Sequence, residues 1–504
     1  MPDLPLIARA KLHQDRTAIG SNGREFTYAD LLRESESLAT ALLDDATDLA
    51  EARVAFMAPA GFDYFVIQWA IWRAGGIALP LSNSATTPEL AYALADADAR
   101  QVIVPRSHAD KLAEPCREAV TPLLVLDEIE PQVNRNLPEI DPGRRAMILY
   151  TSGTTSRPKG VVTTHANIQA QIETLVEAWE WHRDDRIPLF LPMHHIHGII
   201  NIASCALWSG ARVETFPRFE LSTILEQVAA RAYSVFMAVP TIYVKLIEAL
   251  ESDELPGQQR RRILDGFASM RLMVSGSAAL PPSIHHKWSE LTGQRLLERY
   301  GMTETAMMIS NPYHGERRPG AVGQPLPGVD IRLKSETGDI VLIPGEPGEI
   351  QVKGPTVFRE YWKRPEITAE SFDEGWFRTG DMAVIEDGYY RIMGRLSMDI
   401  IKSGGYKLSA LEIEAALLEH PAVRECAVVG ISDETWGEMV AVVVVPESGS
   451  ESLSLADLQD WAKGRLSPYK LPRRMVTIDR LPRNAMGKVT KPALGALFQT
   501  SLQS

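Results

Sequence analysis

Cysteine is scarce, with 3 in 504 residues, and Cys116, Cys205 and Cys426 lie too far apart to make a metal-binding pair. That spacing argues against a disulfide framework and a thiolate metal centre and fits a reducing compartment. Positive charge is also short. Against 65 acidic residues stand 52 Lys and Arg, a net charge of -13, so the surface as a whole repels nucleic acid and anionic membrane. An anionic ligand must find a local basic site. Behind the start Met1-Pro2-Asp3-Leu4-Pro5 no long apolar core follows, so no secretory signal is expected and the expected location is cytoplasmic. One uncharged stretch, Ile187 to Ala211, has membrane length, but Pro188, Pro192, Gly198, Asn201 and its histidines fit a buried strand, turn and helix better than a span.

The densest chemistry lies in Tyr150-Thr151-Ser152-Gly153-Thr154-Thr155-Ser156-Arg157-Pro158-Lys159-Gly160-Val161. The apolar run Ala146–Leu149 before it reads as a buried strand. Gly153 and Gly160 let the backbone turn its N–H groups toward an anion, the hydroxyls add donors, and Lys159 supplies a mobile charge for a phosphate. A Walker-type loop requires Gly-Lys-Ser/Thr, whereas here Pro158-Lys159-Gly160 ends the run. A length of 504 residues favours at least two domains. Apolar runs and helical stretches alternate through Val54–Met57, Ile77–Leu81, Thr87–Ala99, Gln101–Val104 and Leu123–Leu126. This order predicts parallel βαβ architecture, with ligands at the carboxyl ends of strands.

The run with its Pro-Lys-Gly ending resembles the adenylate-forming superfamily of acyl- and aryl-CoA synthetases, luciferases and adenylation domains. Further stretches share the resemblance: Val239-Pro240-Thr241, Ser275-Gly276-Ser277-Ala278-Ala279, Glu298-Arg299-Tyr300-Gly301-Met302-Thr303-Glu304, Thr379-Gly380-Asp381, Gly394-Arg395, and Pro482-Arg483-Asn484-Ala485-Met486-Gly487-Lys488. It implies an α/β fold with a large N-terminal domain (residues 1–394), a hinge at 395–399 and a small mobile C-terminal α/β domain (400–504). By the same resemblance ATP is held by Thr151, Ser152, Gly153, Thr154, Thr155 and Lys159, with adenine beside Gly276 to Ala279. Glu298, Tyr300, Gly301, Thr303 and Arg395 complete the nucleotide site, and Asp381 accepts from the ribose hydroxyls. Glu304 is a hard oxygen ligand of the kind Mg²⁺ uses when it shares coordination with phosphates. Lys488 and His195 join Glu304 as the implied catalytic residues. Lys402, Gly404, Gly405, Tyr406 and Lys407 are the implied coenzyme A site.

Those parts imply attack of a carboxylate on the α-phosphorus of ATP, giving an acyl-AMP, and then thioester formation with coenzyme A. His194, His195 and His197 are poorly spaced for a metal, since i, i+1 and i+3 do not share one face. Arg299 singles out the acid: a guanidinium is costly to bury against a fatty chain but grips a carboxylate through two parallel N–H bonds. With His197, Ser277 and Met307 it defines an acyl pocket suited to a short dicarboxylic acid, and the combined runs resemble the malonyl-CoA synthetases. Pairing of Arg299 with Glu298 or Glu304 is the competing reading of that side chain. Malonate against methylmalonate stays open. A medium- or long-chain or aryl acyl-CoA ligase is the alternative activity, and a non-catalytic nucleotide-binding regulator ranks last. The expected partners are small molecules, with neither nucleic acid nor membrane insertion.

Overall fold

The computed structural model describes residues 3–132, 136–151, 158–403, 406–433, 436–450, 453–483 and 489–500, and for Lys407, Gln499 and Thr500 the backbone only. Local rules account for the first elements. Thr27 caps the helix Tyr28–Leu43 by accepting the Asp30 N–H at 3.1 Å, while the Asp30 carboxylate accepts the Thr27 N–H at 2.8 Å. Such a reciprocal cap contributes about 1 kcal/mol. The helix Phe62–Arg73 is apolar around its circumference, and every residue in it except Asp63 is buried. It is therefore a core helix, and Trp72 ties it to the first sheet by donating to the Ala146 carbonyl at 2.8 Å.

That sheet has seven strands in the spatial order Glu360–Tyr361, Lys159–Thr164, Arg145–Thr151, Ile77–Pro80, Arg53–Phe56, Gln101–Val104 and Leu123–Val125. Pairing is parallel from Arg145–Thr151 through Leu123–Val125, as the alternating pattern predicts. The strand Lys159–Thr164, which follows the Ser/Thr/Gly run, returns antiparallel to Arg145–Thr151, so the next described element after the run is a strand and not a helix.

A second sheet orders Val235–Ala238, Leu272–Ser275, Leu297–Met302, Ala306–Ser310 and Gln324–Pro325. Its first three strands are parallel, and the residues Ser275 to Ala279 leave at the carboxyl end of one of them. The stretch Ile187 to Ala211 holds a strand Arg186–Leu189, a π-helix His197–Ser204 and a short helix Cys205–Ser209, all largely buried. Among the described residues no helix is long and apolar enough to cross a membrane.

The strand Trp376–Glu386 and its partner Tyr389–Arg395 belong to a further sheet and carry the chain into the turn 395–399. Beyond it lies a smaller lobe. Its central hairpin, Val423–Asp433 with Gly437–Pro446, reads apolar at both alternating phases because both faces are covered. Val428, Val440, Val442 and Val444 pack with Ile413, Leu417 and Leu458, while Ala427, Val429, Val443 and Val445 pack with Leu481, Leu494 and Phe498. The helix Ala410–Leu417 is capped on one side only: Ser409 accepts the Glu412 N–H at 3.1 Å, while the Glu412 side chain turns to Lys470 at 2.5 Å.

Candidate active site

Across the strands Arg145–Thr151 and Lys159–Thr164, Thr151 lies opposite Lys159. Tyr361 pairs with Val161 on the neighbouring strand, so the Lys159 ammonium sits 4.3 Å above the Tyr361 ring centre. The Tyr361 hydroxyl in turn donates to Glu304 Oε1 at 2.9 Å. Glu304 is buried, and that burial pushes its carboxyl above the ordinary range against the opposing pull of Tyr361, Arg395 and Lys159. The chain on either side of the Ser/Thr/Gly run is held from outside: Tyr92 donates to the Pro158 carbonyl at 2.9 Å, and Tyr150 to Asp96 at 2.8 Å, where Arg364 also pairs at 2.6 Å.

A second cluster follows from strand register. Asp381 pairs with Arg395 across Trp376–Glu386 and Tyr389–Arg395. Arg395 Nε donates to Asp381 Oδ1 at 3.0 Å, and the Tyr300 hydroxyl donates to Oδ2 at 2.5 Å. Each carboxylate oxygen retains a lone pair for a hydroxyl donor. Thr379 accepts the Asp381 N–H at 3.1 Å and anchors to the Ile350 carbonyl at 2.8 Å, fixing where the carboxylate points.

The third cluster decides the chemistry. Arg299 is 4% exposed, and among the described residues no carboxylate lies within ion-pair distance of it. Its Nη2 donates to the Ser277 hydroxyl at 3.3 Å, while Nε is buried and has no hydrogen-bond partner among the described residues. His197 Nδ1 meets the same hydroxyl at 3.1 Å, and its buried Nε2 likewise has none among the described residues. Burial, followed by the nearby Arg299 charge, holds His197 well below the usual imidazole range, so it is neutral; burial pushes the guanidinium down to about 9. Still, the guanidinium is the charged group at neutral pH. Gly276 packs against it, since a Cβ there would lie 2.5 Å from Arg299 Cζ. Gly276→Ala should therefore displace the guanidinium and raise the KM of an anionic substrate about tenfold or more, measurable by titrating acid at saturating ATP.

Glu298 and Glu304, the two candidate partners for Arg299, face other groups. Glu298 accepts from His285 Nδ1 or shares its proton at 2.9 Å and accepts the Gly320 N–H at 3.0 Å. These contacts tie the strand Leu297–Met302 to the helix Pro282–Thr292. Lys159 and Arg395 both act on the Glu304 carboxyl, and Arg299 shares the hydroxyl of Ser277, which with Ala278 and Ala279 is exposed. The arrangement suits a nucleotide together with a second anion.

Comparison with known proteins agrees. The model of the AMP-binding enzyme family matches residues 6–362, and that of the AMP-binding enzyme C-terminal domain matches 412–488. The chain belongs to the AMP-binding enzyme family. It is 41% identical to the mitochondrial malonate–CoA ligase of Homo sapiens over 99% of this chain and 92% of that one. Identity to the malonate–CoA ligase of Arabidopsis thaliana is 38%, over 95% and 86%. Among solved structures, ATP-bound MatB from Rhodopseudomonas palustris superposes with a TM-score of 0.88 at 34% identity, covering 99% of both chains. The o-succinylbenzoate CoA synthetase of Bacillus subtilis with its acyl-adenylate gives 0.86 at 27%, covering 98% of both.

In this AMP-binding enzyme Ser152, Gly153, Thr154, Thr155, Gly404, Gly405 and Lys488, and the side chain of Lys407, lie outside the described residues. The His195 ring lies against that of His194 with centres 4.1 Å apart and planes tilted by 50°. Met307 is buried against the backbone of Gly301, where a Cβ would come 2.6 Å from its terminal carbon. Thr303 stands in the turn between Tyr300 and Glu304. Lys402 and Tyr406 sit on adjacent strands of the small lobe, Lys402 reaching Glu336 at 3.2 Å and Tyr406 stacking on Tyr469 at 4.5 Å. Thr379 opens the Thr379-Gly380-Asp381 run, whereas Tyr361 supports the site without any local signal that marks it.

Proposed function

We propose that the chain is a malonate–CoA ligase that forms malonyl-CoA, AMP and pyrophosphate. The observation that carries the reading is Arg299, a buried cation that shares the Ser277 hydroxyl with His197, its Nε and the His197 Nε2 both without a hydrogen-bond partner among the described residues. A monocarboxylic acid leaves that charge uncompensated, and an alkyl chain would be pressed against it. A malonate carboxylate gives it a partner, with a bidentate geometry available and the neutral imidazole as a further donor.

The other carboxylate is then free to react. Its oxygen attacks the α-phosphorus, the bond from that phosphorus to the β-bridging oxygen breaks, and pyrophosphate leaves. The thiolate of coenzyme A next attacks the acyl carbon of malonyl-AMP, and the bond to AMP breaks. Three anionic reactants must be brought together, and this chain answers with Lys159 opposite Thr151 and Arg395 at the ribose side. Glu304 is the residue that would hold Mg²⁺, which when bound supplies charge neutralisation on the phosphates. The donor set fits: a single buried carboxylate, with no cluster of three ligand side chains among the described residues, suits an ion that keeps phosphate oxygens as ligands.

The test is coenzyme A-dependent AMP formation with malonate, methylmalonate, succinate, acetate, octanoate and benzoate. Malonate should lead, with acetate and octanoate about 100-fold or more behind. A lead for octanoate or benzoate would overturn the assignment of Arg299 while leaving the AMP-forming reaction intact.

A further inference from the structure

Lys491 belongs to no part of the site described above, yet it is a buried lysine, 9% exposed, with two carboxylate partners. Its ammonium lies 2.6 Å from Asp399 Oδ1 and 2.7 Å from Glu414 Oε1. Glu414 is itself pinned, accepting the Val428 N–H at 2.7 Å, so the lysine is fixed to the body of the small lobe. Asp399 faces the other way with its second oxygen, which accepts the Arg395 N–H at 3.0 Å. The Asp399 N–H returns to the Arg395 carbonyl at 2.8 Å, and its own carbonyl accepts the Ala410 N–H at 2.8 Å.

Residues 395–399 are thus a closed turn gripped at both ends. The grip is tight: Gly394 has φ +120°, and a Cβ there would come 2.3 Å from Asp399 Cβ. At the far end the Arg395 side chain holds Asp381, which Tyr300 holds from the other side. A line of contacts therefore runs from Lys491 to Asp399, from Asp399 to the Arg395 backbone N–H, and from the Arg395 guanidinium to the carboxylate of the nucleotide cluster.

We propose that Lys491 is a positioning residue for ATP: through Asp399 it sets the turn 395–399, and thereby the direction in which Arg395 presents itself and Asp381 to the nucleotide. The inference rests on the nucleotide role of Asp381 and Arg395. Lys491→Met alone would leave two half-buried carboxylates facing each other without their cation and endanger folding, so the informative variant is Lys491→Met with Glu414→Gln. In the full-length enzyme, that double variant should melt cooperatively, raise the KM for ATP about tenfold and leave the KM for malonate within twofold. A packing role alone would move both constants together or neither. Asp381→Asn is measured alongside. If Asp381→Asn raises the KM for ATP and the double variant does not, the line through Lys491 is wrong; if Asp381→Asn leaves ATP unaffected, the nucleotide assignment itself fails.

Discussion

Arg299→Met should lower kcat/KM for malonate by about 10²–10³-fold while nucleotide binding measured without acid stays within a few-fold. The size follows from the environment, because separating a buried charge from its only partner costs about 3–5 kcal/mol, and each 1.4 kcal/mol is a factor of ten. Before malonate arrives, Arg299 has the Ser277 hydroxyl and no carboxylate among the described residues, so the bound acid supplies the missing charge. Methionine fills a similar volume without that charge, which separates electrostatics from a cavity effect. Two secondary results should accompany the loss. The ligand-free variant should melt higher than wild type, since it no longer buries an unpaired guanidinium. Acetate should lose its disadvantage relative to malonate. Equal losses for malonate and acetate would place the guanidinium outside the acid pocket.

How far such a site could be read from the sequence depends on the range of the interactions. Runs such as Ile77–Pro80 and Gln101–Val104 announce themselves because burial on both sheet faces demands unbroken apolar residues. Thr27 with Asp30 is equally legible, a cap being a local arrangement. Arg299 was legible because a guanidinium is costly to bury against an alkyl chain, and His197 through the family resemblance, and the structure brings both to the Ser277 hydroxyl. What local spacing does not encode is which partner each charge finds. Glu298 stands beside Arg299 in the chain, yet alternation along the strand sends its carboxylate to His285, and the fold alone makes that choice. Tyr361 reaches Glu304 across 57 residues and Lys491 reaches Asp399 across 92, distances at which no periodicity survives. The antiparallel pairing of the strands on either side of the Ser/Thr/Gly run was hidden for another reason: a short apolar strand before a glycine-rich segment looks alike whether a helix or an antiparallel strand follows. Nor does composition distinguish the π-helix at His197–Ser204 from an α-helix, although the wider turn is where His197 enters the pocket cluster.

Glu304→Gln should make the enzyme more stable and nearly inactive, and the two effects have one cause. Burial raises the Glu304 carboxyl above its ordinary value in the folded chain. A carboxyl whose folded pKa exceeds the unfolded one favours folding when protonated, and that contribution is lost as pH rises through the folded pKa. At pH 7 to 8 the wild type therefore carries the cost of a buried carboxylate, relieved only in part by the Tyr361 hydroxyl and the nearby cations. Glutamine keeps the shape and can still accept from Tyr361, so the variant should melt higher than wild type at neutral pH, with the gap closing on acidification. Activity should move the opposite way. An amide brings no negative charge to a cation shared with the triphosphate, and the loss of one such electrostatic contribution lowers kcat by about 10²–10³-fold. The same raised carboxyl should place the acid limb of kcat/KM for ATP above about 4.3, the ordinary glutamate value. Stopped-quench measurement of malonyl-AMP formation across pH, beside thermal melts of both proteins, reads all of these at once. A glutamine variant that forms the adenylate at a rate within tenfold of wild type would show that the buried carboxylate serves packing alone.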